Sequence, residues 1–352
     1  MLLLSIWISD KNPFKGKAPL FLPSQNLHKI FYTTKQGSVT ISVILPVLNE
    51  QDHLEGTTVQ KIVQQLESLE ISYEIVIVDG GSSDNTRRII ERIQSSNPHI
   101  GVIRFTGNFG KEAAMFAGLS YSNGQAAIIM DADLQHPPEI LPRMLRLWQD
   151  KGFKIVQGIK ESRPQEPLTR RFGARLFYWI MSKFTGYNLI QSTDFVLLDR
   201  SVIRTYLGLP EIEFFLKGLL LWSGYERVVV PFRCDVGTRS RSRWTLLGLS
   251  RHAVQAVTSF SSLPLQFVTG AGLITLLFSV VLAVQTLYKK MTGQAIEGFA
   301  TVILLLLIIG SVLMISLGII GLYLARIFSE IKARPRYLAK ELLPPHEDER
   351  HL

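Results

Sequence analysis

Two long stretches near the C-terminus carry no charge at all, and they limit what the rest of the chain can be. Residues 263–287 (LPLQFVTGAGLITLLFSVVLAVQTL) and 299–325 (FATVILLLLIIGSVLMISLGIIGLYLA) contain no Asp, Glu, Lys or Arg. Each exceeds the roughly 20 residues that cross a bilayer as a helix. The core helix of a soluble domain can be as apolar, but two such runs joined by a short polar link, Tyr288 to Gly298, favour a transmembrane hairpin. A hairpin returns the chain to the side it left, so the segments before Leu263 and after Ala325 share one compartment. Arg239, Arg241, Arg243 and Arg251 precede the hairpin and Arg326, Lys332, Arg334 and Arg336 follow it, whereas the link offers Lys289 and Lys290 against Glu297. Basic flanks stay inside, so the large N-terminal part and both termini are expected to be cytoplasmic.

The rest of the 352 residues is long enough for one large core or two smaller ones. A net charge of +9 calls for an anionic partner: a lipid surface, a phosphorylated substrate or nucleic acid. Basic residues clustered beside membrane spans are explained by anionic lipid, so no nucleic-acid partner is expected. The single cysteine, Cys234, excludes an internal disulfide and fits a reducing compartment. At the N-terminus MLLLSIW is too short for a signal peptide and its basic residues follow instead of preceding it, so residues 1–39 read as an extension.

From Thr40 onward apolar runs of strand length alternate with segments of helical period. Strands are expected at 41–46, 73–79, 101–105 and 126–130, with helices at 57–70, 84–96 and 111–122 between them. This is the βαβα signature of a mostly parallel sheet covered by helices, in which ligands bind beyond the carboxyl ends of the strands. The unusual residues stand at those ends: Pro46 and Asn49-Glu50, then Asp79, then Asp131 and Asp133. VDGGSSDNT (78–86) offers backbone N–H groups and a helix start to an anion, while its acidic residues suit hydrogen bonding to a base or ribose, and an ordinary turn is the plain alternative. In IIMDADLQHPPE (128–139), strand alternation would put Asp131 and Asp133 on one side, where a Mg²⁺ or Mn²⁺ ion bridging to substrate phosphates would relieve their repulsion. The same residues can also be a polar turn opening the next helix, with Pro138 near its first position. Further on, KIVQG (154–158), STDFVLLDR (192–200) with Asp194 at its entry, and RVVVPF (227–232) read as strands. RRFGARLFYWIMSKF (170–184) suits either a helix in the membrane interface or an amphipathic helix packed on the sheet.

The segments SVILPVLNE (42–50), IVIVDGGSSDNT (75–86), NFGKEAAMFAGL (108–119), MDADLQHPPE (130–139), DFVLLDR (194–200) and GLYLARIFSEIKARPRY (321–337) together resemble the membrane-bound family-2 glycosyltransferases that load a sugar onto a polyprenyl phosphate. That group includes bactoprenol glucosyltransferases, undecaprenyl-phosphate aminoarabinose transferases and dolichyl-phosphate mannose synthases. The resemblance implies an α/β, Rossmann-like GT-A domain over residues 40–232, an acceptor loop and juxtamembrane helix over 233–262, the hairpin over 263–325 and a basic tail over 326–352. It implies that Pro46, Glu50, Asp79 and Asp131 bind the donor, that Asp131, Asp133 and Gln135 surround the metal, and that Asp194, with Asp133, is catalytic, as a base or an orienting group. Lys160, Arg163, Arg170, Arg171 and Arg243 fall where the family supplies cations to the acceptor phosphate. Two positions depart from the family pattern: Asp79 is followed by Gly80 where a second aspartate is usual, and RSRSRW (239–244) has Ser240 at a glycine position while keeping Ser242, Arg243 and Trp244.

The expected reaction is an inverting, metal-dependent transfer from a nucleotide sugar to undecaprenyl or dolichyl phosphate at a membrane, in bacteria the inner one, by an enzyme acting as a monomer or a homo-oligomer. A processive polysaccharide synthase would share the donor half but is expected to carry a Gln-x-x-Arg-Trp motif, where this chain has Ser240, and more than two spans. A non-catalytic sugar- or lipid-binding scaffold would be expected to have lost metal ligands, and Asp131, Asp133 and Gln135 are intact.

Overall fold

The computed structural model describes residues 39–54, 58–133, 135–160, 193–209, 216–233, 263–292, 298–332 and 334–345. Among the described residues eight strands form one sheet: β1 (Ile41–Val47), β2 (Tyr73–Asp79), β3 (Ile100–Phe105), β4 (Ala126–Ile129), β5 (Ile155–Lys160), β6 (Val196–Asp199), β7 (Arg227–Phe232) and β8 (Ala339–Leu343). They lie in the order β7-β5-β6-β4-β1-β2-β3-β8. The centre, β3-β2-β1-β4, is parallel throughout, and these strands are almost wholly buried, as expected of a sheet with both faces covered. Here β2 and β4 flank β1 on opposite sides, which makes the carboxyl ends of β1 and β4 the switch point where such sheets open a crevice.

Alternation along β1 divides the core. Ile41, Val43, Leu45 and Val47 face helices α2 (Thr58–Glu67), α3 (Thr86–Ser96) and α5 (Leu141–Gln149), which present Ile62, Leu66, Ile90 and Met144. Ile44 faces α4 (Lys111–Tyr121) on the other side, with α6 (Arg200–Leu207) and α7 (Leu216–Trp222) adding Ile203 and Leu219 to the same cluster. The fit of α4 on the sheet is close: a Cβ at Gly118 would lie 2.3 Å from Ile44 Cγ2, the kind of overpacking that costs about 1–3 kcal/mol. A short helix, α1 (Gln51–Leu54), follows β1.

Several elements depart from the sequence expectation. The fourth strand stops at Ile129, so Asp131 and Asp133 belong to a turn and not to the strand end. A 3-10 turn, Pro138–Ile140, leads directly into α5, so the proline pair does start a helical segment as well as end the apolar run. Ala339–Leu343, expected as part of a basic tail, is the edge strand β8, antiparallel to β3.

Helices α8 (Leu263–Met291) and α9 (Phe299–Lys332) extend both apolar runs by a further turn or two. Both are long and apolar enough to cross a membrane, and no residue of the windows Leu265–Leu282 and Ile308–Lys332 is fully buried in the protein. The extension of α9 past Ala325 is RIFSEIK, whose Arg, Glu and Lys favour helix without an apolar medium. Beyond it Arg336, counted from the sequence as a basic flank, instead covers the Phe116 ring at 3.9 Å and donates to Leu209 O. The pairing of β8 with β3 packs the chain after α9 onto the edge of the sheet.

Candidate active site

The carboxyl ends of β1 and β4 open into a cleft of about 210 Å³ lined by Pro46, Glu50, Gly80, Lys111, Asp131 and Asp133 among others. Strand directions explain why these residues meet. Strand β6 runs antiparallel to β4 and β5, so its entry, where Asp194 stands, lies on the same edge as the exits of β1, β2, β4 and β5. Lys160 ends β5 on that edge, exposed.

The β1 wall is held by its neighbour loop. Gly80 N donates to Val47 O, Glu50 N donates to Thr86 Oγ1 at 2.9 Å, and Asn49, in the left-handed region at φ 56°, accepts from Ser83 N through Oδ1. Glu50 Oε2 lies 2.7 Å from His53 Nδ1. Asp79 sits behind this wall instead of in it: its side chain is 1% exposed, Oδ1 accepts from Gly81 N and Ser82 N, and Oδ2 accepts from Arg104 Nε. The cleft surface there is Gly80. The tight turn also requires Gly81, at φ +92°, where a Cβ would come within 2.8 Å of the Gly107 backbone.

In the β4 turn Ala132 is buried while Asp131 and Asp133 face the cleft, so the two carboxylates do share a side although no strand continues there. Thr58 Oγ1 donates to Ala132 O and fixes the turn from below. Asp133 accepts from Gln135 twice, from the backbone N at 3.1 Å and from the side-chain amide at 2.7 Å. Asp131 N donates to Nδ1 of His136 at 2.9 Å. Burial lowers the His136 pKa, so the ring is neutral and its Nδ1 is free to accept; it stacks on Phe195 at 4.8 Å.

Across the cleft one ammonium joins two carboxylates. Lys111 Nζ lies 2.6 Å from Asp131 Oδ1 and 2.8 Å from Asp194 Oδ2, and Lys217 Nζ lies 3.2 Å from Asp194 Oδ1. Burial alone would raise the Asp194 pKa, but the two lysines hold it at about 2. Burial would likewise lower that of Lys111, and its two carboxylates raise it instead. Both therefore stay charged throughout the physiological range. Sequence patterns do not single out Lys111, Lys217 or His136; Lys111 has one signal, its place at the start of α4 directly after Gly110, where φ is +90°. The acceptor candidates Arg163, Arg170, Arg171 and Arg243, and the helix read at 170–184, lie outside the described residues.

Glu112, next to Lys111, behaves in the opposite way. Burial of its carboxyl, then the charge of Asp194, push its pKa up to about 8, although Leu216 N donates to Oε2. A folded pKa raised from about 4.3 means that the folded protein holds a proton the unfolded chain has released, so stability falls as pH rises from about 4.3 toward 8. Glu112→Gln, which keeps the neutral shape, is expected to match the wild-type melting temperature at pH 4.5 and exceed it by a few degrees at pH 8, measured by thermal unfolding at both pH values.

The model of glycosyl transferase family 2 matches residues 42–205. An uncharacterized glycosyltransferase of Synechocystis sp. is 36% identical over 87% of this chain and 96% of its own length. The bactoprenol glucosyl transferase of Shigella phage SfX is 35% identical over 85% of this chain and 98% of its own. Among solved structures, glucosyl-3-phosphoglycerate synthase from Mycobacterium tuberculosis aligns with a TM-score of 0.45 and 17% identity over 69% of this chain and 84% of that one. With the family model spanning β1 to α6 and relatives of 35–36% identity covering 85–87% of the chain, this chain belongs to glycosyl transferase family 2, an α/β glycosyltransferase of the GT-A type.

Proposed function

We propose that the enzyme moves a sugar from a nucleotide-sugar donor to a polyprenyl phosphate, with inversion, at the cytoplasmic face of a membrane. The observation that carries this reading is the Asp131–Lys111–Asp194–Lys217 array at a cleft whose chain also supplies two helices able to cross a bilayer. The 35% identity to a bactoprenol glucosyl transferase supports a lipid-phosphate acceptor.

The donor is proposed to lie along Pro46, Glu50 and Gly80, with Asp79 shaping the loop from behind, and its diphosphate to reach Asp131 and Asp133. The donor set there fits a divalent cation: Asp131 already binds a cationic group, the Lys111 ammonium, and Asp133 stands two residues away on the same cleft wall. No cluster of three or more His, Cys, Asp or Glu is found among the described residues, and one or two carboxylates completed by substrate phosphates is the usual pattern for Mg²⁺, which Mn²⁺ can replace. Asp131, Asp133 and Gln135 would hold the ion, which when bound stabilises charge on the departing diphosphate.

The acceptor needs little activation, because a phosphate monoester is already ionised near neutral pH. An Asp194 carboxylate held at about pKa 2 is a poor proton acceptor, so its proposed part is to orient Lys111 and Lys217. These ammoniums, with Lys160 on the same edge, offset repulsion between two phosphorylated substrates and line up one in-line displacement, which inverts the anomeric carbon. Arg163, Arg170, Arg171 and Arg243 are proposed to add to that field. The test is to incubate purified enzyme in detergent with undecaprenyl phosphate, Mg²⁺ or Mn²⁺ and a panel of radiolabelled UDP-, GDP- and CDP-sugars, with and without EDTA. One labelled lipid, formed only when metal is present, is expected; labelled polymer, or undiminished transfer in excess EDTA, would overturn the acceptor or the metal assignment respectively.

A further inference from the structure

The strand that follows the second apolar helix reaches the donor side of the sheet through one buried guanidinium. Arg104, on β3 and 5% exposed, meets three carboxylates: Nε lies 3.3 Å from Asp79 Oδ2, Nη2 lies 3.5 Å from Glu91 Oε1, and Nη1 pairs with Glu341 Oε2 on β8. Arg104 and Glu341 are direct partners in the β3–β8 register. On the α9 side of that pair the strand is fastened by Thr106 N donating to Leu338 O at 2.9 Å and by Tyr337 stacking on Phe105 at 4.8 Å, and residues 333–338 alone separate it from α9.

We infer that Glu341 is a positioning residue for the donor loop, acting through Arg104 on Asp79. Both Asp79 oxygens are committed, one to the N–H groups of Gly81 and Ser82 and one to Arg104, so the guanidinium fixes how the loop behind Gly80 is folded. A buried guanidinium goes where its counter-charges are. Glu341 draws it from the sheet edge and opposes any collapse toward Asp79, which holds the carboxylate in the orientation that caps Gly81 and Ser82. The C-terminal strand therefore links donor affinity to the segment anchored by α9, two parts of the chain 237 residues apart.

This inference rests on the reading of the cleft as the donor site, and the experiment separates the two. Mn²⁺ with UDP, GDP or CDP is titrated by calorimetry, without acceptor, into the full-length wild type; the nucleotide that binds is then titrated into Asp79→Asn, Glu341→Gln, Glu341→Lys and Lys340→Ala. Expected are a dissociation constant raised about tenfold by Glu341→Lys and about threefold by Glu341→Gln, none by Lys340→Ala, and no additional effect of Glu341→Lys in the Asp79→Asn background, since coupled sites are not additive. Kinetics should show a raised donor KM with kcat and the polyprenyl-phosphate KM within about twofold of wild type. If Asp79→Asn weakens nucleotide binding but both Glu341 variants bind like wild type, the Glu341 inference fails and the donor site stands. If no nucleotide binds, or Asp79→Asn binds like wild type, the donor-loop reading fails and the inference falls with it. Should the charge reversal loosen the edge strand, Glu341→Gln, which keeps the size and one acceptor oxygen, still decides between these outcomes.

Discussion

Asp133→Asn is expected to lower sugar transfer by about a thousandfold, a loss of the size seen when one preorganised charge-stabilising group is removed. The expectation follows from what Asp133 does not do for the fold. Its two hydrogen bonds come from Gln135 within the same turn, and the turn itself is held by Thr58 on Ala132 O and by His136 on Asp131 N. An asparagine keeps the shape and one acceptor oxygen but removes the charge that makes the pair of carboxylates a cation site. Thermal unfolding should therefore place the variant within a few degrees of wild type, while a radiolabel transfer assay records the loss and Mn²⁺ no longer raises the melting temperature. Activity within about tenfold of wild type would assign the charge requirement to Asp131 alone.

Much of this site is legible in the sequence, and what is not has a physical pattern. Strands β1 to β4 are legible because they are buried on both faces and read as unbroken apolar runs, which also mark the carboxyl ends where Pro46, Glu50, Asp131 and Asp133 stand. Asp194 comes from the resemblance of DFVLLDR to a family pattern, because nothing local to it announces a site. Lys111 is invisible as its partner: the contact spans 83 positions and depends on β6 running against its neighbours, a fact of topology that periodicity does not carry. The edge strand escapes notice for another reason. AKELL is only partly buried and composed of residues that favour helix, so both propensity and pattern point away from the strand that pairing with β3 imposes. The apolar limit at Ala325 understates α9, since the helix continues to Lys332 in residues that need no membrane to be helical.

Lys111→Met should cost about a hundredfold in kcat while making the metal-free protein less stable and more responsive to metal. In the wild type this one ammonium lies between Asp131 and Asp194, and Lys217 reaches only the latter. Among the described residues, removing it leaves Asp131 beside His136 alone, a neutral ring 3.9 Å away, so two carboxylates face one another across a cleft with half their compensation gone. An added divalent ion then replaces the lost charge without first displacing the lysine. Differential scanning calorimetry is expected to show a melting temperature several degrees below wild type in EDTA and a Mn²⁺-induced rise larger than that of wild type. Kinetics at saturating metal isolate the second effect: stability is restored, yet kcat stays low because the ammonium no longer offsets phosphate repulsion. Lys111→Arg should recover part of kcat, because the charge is kept, although a planar fork cannot bridge the same two oxygens as a compact ammonium does. If Lys111→Met instead responds to Mn²⁺ no more than wild type does, the lysine and the metal do not compete for Asp131, and the cation site lies on Asp133 without it.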